Sequence, residues 1–544
     1  MRTRPILRSC IVLTSCLMLG IARPPASAHA ISSDCGATPA PFVDLSGCDL
    51  HGRDLSWAEL AHANLAGANL AGATLTSANL ASAILTGADL TGAVLTNVSA
   101  TKADFSTADL TNADATGAAL VGIVLTNATV SGTNFSGVSF SGTLVRGVSS
   151  GGLVGTPAAL PSGWSVTAGY LIGPGAYLGG AALDGVSLSG RTLTKTIFTD
   201  AHLAGSDCTG CVLTGAKLNG ADLTNAVLTN SRLDGVAIGR ANLTGTVLTN
   251  SVLTKVRSGL LTGTPANLPT GWVIRGGYLL GPTADLTGAA LRNLSLSGVS
   301  LAKATLTNLV SSGISAGPSA LPAGWVLRGG RIYGPYANLT GANLARLNIA
   351  GLSLGHATLR NVSSGGITGT PAAIPAGWRL RNGYLVGPYA NLSNALFGTA
   401  DLSNIQIQGA RITNADFGRT VLANVRSGAL VGTPRSMPPG WVVRKGFFIG
   451  ATASLRDADL SHADLRATNL ATANLANADL HSANLAGANL SSANLTDANL
   501  TGTTLTNTNL RTATLTDVTA TGIVGVPAAL PPGWRLVGGT LIGP

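Results

Sequence analysis

A five-residue period constrains this chain more than anything else in it. In "ADLHSANLAGANLSSANLTDANL", from Ala478 to Leu500, Leu recurs at 480, 485, 490, 495 and 500. Asp or Asn stands just before each Leu, and Ala two before. An α-helix does not fit, because five residues turn about 500° and would smear the leucines around its surface. A straight strand does not fit either, since Leu480 and Leu485 would face opposite sides. Within one unit, however, Ala and Leu are two apart and point the same way, provided the chain bends after each short side. Such a coil turns every Ala–Leu pair inward and leaves the residues flanking Leu to water. It buries its open faces only by stacking on further coils.

The period also overrides the several domains that 544 residues would ordinarily suggest, because repeat arrays grow along one axis. A narrow core takes small and medium side chains, which accounts for aromatics at only 4%. Regularly placed Leu, within 45% hydrophobic residues, argues against disorder. The inward Leu position runs from Leu45 to Val145, Leu178 to Leu253, Leu286 to Leu306, Leu339 to Leu359, Leu392 to Leu422 and Leu455 to Leu515. Phe105, Phe135, Phe140, Phe198, Phe397 and Phe417 fall on that position as larger fillers. The pattern A-(D/N)-L-x-x resembles the pentapeptide-repeat family over most of the chain. That resemblance implies an all-β fold, a right-handed quadrilateral β-helix with four units per coil. It says almost nothing about function.

Between the blocks sits a second motif, as in "GTPANLPTGWVIRGGYLLGP" and "GTPAAIPAGWRLRNGYLVGP". Its six copies carry Trp164, Trp272, Trp325, Trp378, Trp441 and Trp534. From Ser150, Ser258, Ser311, Ser364 or Ser427 to the next block's Leu is always 28 residues, so the segment has defined structure. The five-residue register survives to Leu160, Leu268, Leu321, Ile374, Met437 and Leu530, and slips in the Pro-x-Gly-Trp region. After Trp, two apolar/polar alternations flank Asn382-Gly383 or a Gly-Gly pair, which suits a β-hairpin with a two-residue turn. The alternative is a three-residue bulge in a continuous coil. Counted as coil sides modulo four, the bulge puts the six Trp at 0, 1, 3, 1, 1 and 3. A hairpin adding eight residues outside the coil puts them at 0, 0, 1, 2, 1 and 2. Neither series aligns all six. Blocks of five units cannot stand alone, so one array interrupted by hairpins or bulges is expected.

The resulting organisation is a signal peptide at 1–30, a cap at 31–44, and repeats at 45–150, 178–258, 286–311, 339–364, 392–427 and 455–520. Trp motifs occupy 151–177, 259–285, 312–338, 365–391, 428–454 and 521–544. The amino terminus reads as a leader: Arg2, Arg4 and Arg8 precede the apolar run from Cys10 to Ala22, and "PPASAHA" offers cleavage after Ala28 or Ala30. Cleavage after Ala30 takes the net charge from +10 to +6. Export permits disulfides, and Cys35 and Cys48 are a candidate pair sealing the first coil. Cys208 and Cys211 of "CTGC" take a Leu and an Ala position and read as two buried thiols.

No motif points to catalysis, a cofactor or a metal. Glu59 is the only glutamate, and Asp alternates with Asn before Leu, as at a solvated position. His51, His62, His202, His356, His462 and His481 are scattered without ligand spacing. The outward Thr, Ser and Asn suit turns, glycan binding or ice binding. The six Trp, with Tyr170, Tyr278, Tyr384 or Phe447 and nearby arginines, either bind a ligand or pack on the coil. Some pentapeptide-repeat proteins mimic DNA and inhibit gyrase, but a basic, exported chain does not fit that role. The expectation is a secreted or cell-wall-associated bacterial protein without enzymatic activity, serving as a scaffold or surface interaction protein. Its alternative is binding of carbohydrate or a cell-wall polymer through the Trp hairpins. Partners would be a protein or a cell-surface polysaccharide, with no nucleic acid and no stable membrane insertion. End-to-end self-association stays open.

Overall fold

The computed structural model describes residues 35–544, so the expected leader lies outside the described residues. The chain forms two compact units. One holds the described residues through Val145 with Gly152–Pro161, the other Arg146–Gly151 with Ser162–Pro544. Both are quadrilateral β-helical coils, and no helix occurs among the described residues.

Each side of a coil is a short extended piece held by one parallel bridge to the residue one coil on. In the first unit Asp44 pairs with Asn64 and Asn64 with Ile84; in the second Tyr177 pairs with Ile197 and Ile197 with Lys217. The 20-residue step is four sides of five. At each corner the Leu carbonyl accepts the N–H three residues on, as from Ala63 to Leu60 at 3.1 Å. The residue before that Ala is left-handed, for example His62 (φ 60°), Asn97 (φ 57°) or Gly67 (φ 65°), as a type II turn requires. That requirement, more than solubility, explains the Gly and Asn recurring there. Inside, the Leu and Ala positions are sealed: Leu65, Ala63, Leu485 and Ala483 are all 0% exposed. The six Phe on Leu positions are buried as well. Each such Leu contributes about 1.5–3 kcal/mol through burial.

The slot before Leu is more structured than a merely solvated position. Asn64 Oδ1 accepts the Ala66 N–H at 3.2 Å, and its Nδ2 donates to Asp44 one coil back at 3.0 Å. Asp and Asn exchange freely because the corner needs only an acceptor oxygen two residues before its N–H.

Cys208 and Cys211 are bonded to each other, and the expectation of two free thiols is corrected. The corner is the reason. It folds the Leu position of one side over the Ala position of the next, so two inward side chains converge with Cα atoms 5.3 Å apart, within disulfide reach. Cys35 and Cys48 are also bonded.

The Trp motifs are loops out of the coil followed by hairpins. In the second unit Ser149 bridges Tyr177, Arg257 bridges Asp285, Ser363 bridges Asn391 and Arg426 bridges Ser454, each 28 residues on. That is one coil plus eight residues, so the three-residue bulge is ruled out and the six Trp follow the series 0, 0, 1, 2, 1 and 2. The antiparallel pairs are β1 (Ser165–Thr167) with β2 (Tyr170–Ile172) and β3 (Val273–Arg275) with β4 (Tyr278–Leu280). Strands β5 (Ala290–Arg292) and β6 (Val310–Ser312) pair in parallel as the same side of successive coils. Then come β7 (Val326–Arg328) with β8 (Arg331–Tyr333), and β9 (Arg379–Arg381) with β10 (Tyr384–Val386). The last two pairs are β11 (Val442–Arg444) with β12 (Phe447–Ile449), and β13 (Arg535–Val537) with β14 (Thr540–Ile542).

Candidate interaction surface

The Pro-x-Gly-Trp sequence makes a tight turn into each hairpin. Trp272 N–H donates to Pro269 O at 3.1 Å, and Gly271, with φ 82°, supplies the left-handed third position. The hairpin's own turn takes two left-handed residues, Asn382 (φ 44°) and Gly383 (φ 76°) or Gly276 and Gly277, the mirror-image turn that matches strand twist.

Each Trp then lies flat on the Gly that follows the second strand. A Cβ on Gly281 would sit 2.3 Å from the Trp272 ring, and one on Gly387 2.3 Å from Trp378. The same close approach joins Trp164 to Gly173, Trp325 to Gly334, Trp441 to Gly450 and Trp534 to Gly543. Trp378 is buried and the other five are half-buried. One indole face is therefore spent on the chain itself at every hairpin. Six separate packing sites result, with no shared strip.

Polar residues around the hairpins also bond to the coil. Ser427 Oγ, buried at a Leu position, accepts the Phe448 N–H of β12 at 2.8 Å, and Ser150, Ser258, Ser311 and Ser364 do the same for β2, β4, β8 and β10. Tyr170, Tyr278 and Tyr384 accept backbone N–H groups of Ala182, Ala290 and Leu396. Arg328, Arg381 and Arg444 donate to the carbonyls of Asn348, Asp401 and Asp464, each 20 residues on, tying hairpin to coil. Lys445 pairs with Asp459 at 2.9 Å. Hydrogen bonds from Ser461 and then Lys445 hold Asp459 down to about 2, and Arg466 does the same for Asp464.

Clefts adjoining the hairpins include one of about 440 Å³ beside Trp272, and one of about 370 Å³ beside Tyr278, Arg240 and Arg257. A third, of about 340 Å³, sits at a coil corner between Arg360, Tyr389 and Arg411. Sequence reasoning passed over this last one because Tyr389 replaces a residue that is Thr283 or Thr452 in other copies, and nothing in the period marks it. No set of three or more His, Cys, Asp or Glu that could hold a metal ion occurs among the described residues.

The family model for pentapeptide repeats matches in eight copies, at residues 42–76, 54–92, 75–112, 88–127, 103–142, 206–245, 453–491 and 493–523. Those stretches are built of pentapeptide repeats. The pentapeptide matches stop short of all six hairpin Trp. No curated protein matches the chain. Among solved structures it is similar to HetL, a pentapeptide repeat protein involved in heterocyst differentiation regulation from the cyanobacterium Nostoc sp. strain PCC 7120. Identity there is 22%, covering 42% of this chain and 88% of that one, with a TM-score of 0.19. A pentapeptide repeat protein from the Arabidopsis thaliana thylakoid lumen is 32% identical over 19% of this chain and 65% of that one, with a TM-score of 0.13. QnrB1, a plasmid-mediated fluoroquinolone resistance protein, is 15% identical over 39% of this chain and 82% of that one, at a TM-score of 0.15.

Proposed function

We propose that this pentapeptide-repeat protein is an exported, non-enzymatic scaffold whose coils present an interaction surface at the cell exterior. One observation carries the reading: many of the groups able to do chemistry are engaged in holding the coil. Asp caps corners, buried Ser ties down second strands, and Arg links hairpins to the next coil. A side chain committed to such bonds is positioned for rigidity, and a rigid lattice of corners is suited to display.

The experiment applies purified protein to cell-envelope fractions and to a panel of neutral and charged polysaccharides. Amino-terminal sequencing of the exported material accompanies it. Saturable retention with unchanged polymer length, and a chain beginning after Ala28 or Ala30, are expected. Depolymerisation of any retained polymer, or intact Met1 on protein confined to the cytoplasm, would overturn the reading.

A further inference from the structure

Charge is not spread evenly along the array. From residue 35 to residue 145 there are eight acidic residues and two basic ones. From 328 to 446 there are twelve Arg or Lys against two acids, Asp401 and Asp416. Of those twelve, Arg426 and Lys445 alone have a carboxylate within 4.0 Å among the described residues, from Asp457 and Asp459. The backbone carbonyls that hold Arg328, Arg381 and Arg444 are neutral, so their charge is not cancelled. We propose that residues 328–446 bind a flexible anionic polysaccharide, with the cleft between Arg360 and Arg411 at the centre of the site. The proposal rests on the scaffold reading and names the class of its partner.

Three features choose this partner over other polyanions. The first is the distribution of charge around the coil. Arg411 and Arg426 are fifteen residues apart, three sides of one coil, with Arg419 between them. No plane touches all three, whereas a flexible chain wrapping the coil does; a membrane surface is thereby disfavoured.

The second is the state of the aromatic rings. Tyr389 is held between Arg360 of the preceding coil, whose Cζ is 4.7 Å from the ring centroid, and Gly409 of the following one, where a Cβ would come within 2.4 Å of the ring. Tyr336 is stacked on His356 at 4.8 Å, and Trp325, Trp378 and Trp441 lie on their glycines. Rings occupied in this way offer poor platforms for nucleobases, which single-stranded nucleic acid binding uses heavily.

The third is the donor set. The cleft is lined by two arginines, Arg360 and Arg411, together with Thr340 and Asn361. Guanidinium forks match the geometry of carboxylate or sulfate, and the neutral groups are complementary to sugar hydroxyls. Tyr389 keeps the Arg360 fork from folding away. Eleven of the twelve bases are Arg, the residue suited to such planar pairing.

The test measures binding of the full protein to immobilised polygalacturonate, with dextran as the neutral control, at about 50 and about 300 mM salt. A variant carrying R346Q, R360Q, R411Q and R419Q is compared with one carrying K195Q, K217Q, R232Q and R240Q. Both remove four charges from exposed or half-buried sites, and unchanged melting of each checks the fold. The first set should weaken binding about tenfold or more and flatten its salt dependence, and the second should change it about twofold at most. Equal loss for the two sets, or equal binding to dextran, would overturn the proposal. So would tighter binding to single-stranded DNA or to vesicles of anionic lipid, with the same sensitivity to the first set. Retention on neutral glycans alone ends this proposal and leaves the scaffold reading intact. Cleavage of polygalacturonate ends the scaffold reading instead.

Discussion

Replacing Leu485 should cost far more than changing its neighbour Asn484, and the structure supplies the sizes. Leu485 is 0% exposed and packs in the same core as Leu465 and Leu505, one coil before and one after. Truncation to Ala removes buried methylenes from a column with little room to collapse, which costs about 2–5 kcal/mol. Leu485→Asp adds the burial of an unpaired carboxylate, worth several kcal/mol more unless the group takes up a proton. Asn484 uses its Oδ1 to accept the Ala486 N–H at 3.1 Å, a role an Asp oxygen fills equally well. The new charge would lie one coil above Asp464, yet the chain already bridges Asp459 to Asp479 and Asp89 to Asp109 in the same way. Asn484→Asp should therefore stay within about 0.5 kcal/mol. Because a long array opens in parts, amide hydrogen exchange around 465–505 is the measurement, supported by thermal melting. Equal loss of protection in the Asp variants at 484 and 485 would refute the inward and outward assignment.

Gly281→Ala should displace the Trp272 indole and destabilise its hairpin by about 1–3 kcal/mol, read as a red-shifted Trp fluorescence; adding Trp272→Ala should relieve the clash, and strict additivity would refute it. Ser427→Ala leaves the buried Phe448 N–H without its acceptor and should cost about 1–3 kcal/mol, with faster exchange of that amide; unchanged exchange would show that the hydroxyl is dispensable. Asp459 and Asp464 are held at about 2, below the ordinary aspartate value of about 3.9, so what their ionised forms add to stability is present above the higher value. That contribution is lost as pH falls through about 2; carboxylate titration by NMR with both midpoints near the ordinary value would contradict the bonds drawn to Ser461, Lys445 and Arg466.

The period alone determined the coil. Ala and Leu two apart in a five-residue unit admit one way to bury both, and the Leu positions from Leu45 onward are buried where arithmetic puts them. The fixed length of 28 residues likewise announced a defined insertion, and Asn382-Gly383 announced its turn. Only the tertiary structure decided the rest, because it depends on which residues meet across coils 20 or 28 apart. A corner brings Cys208 onto Cys211, and no count of positions shows that two inward side chains converge there. The pattern assigns no role to the Gly that follows each second strand, yet Gly281 is needed for the indole laid upon it. Asp before Leu reads as solvated, yet it caps a corner, because the N–H it satisfies belongs to a bend that local sequence does not display. The Arg360–Tyr389–Arg411 cleft joins residues from three successive coils, and stacking alone makes them neighbours.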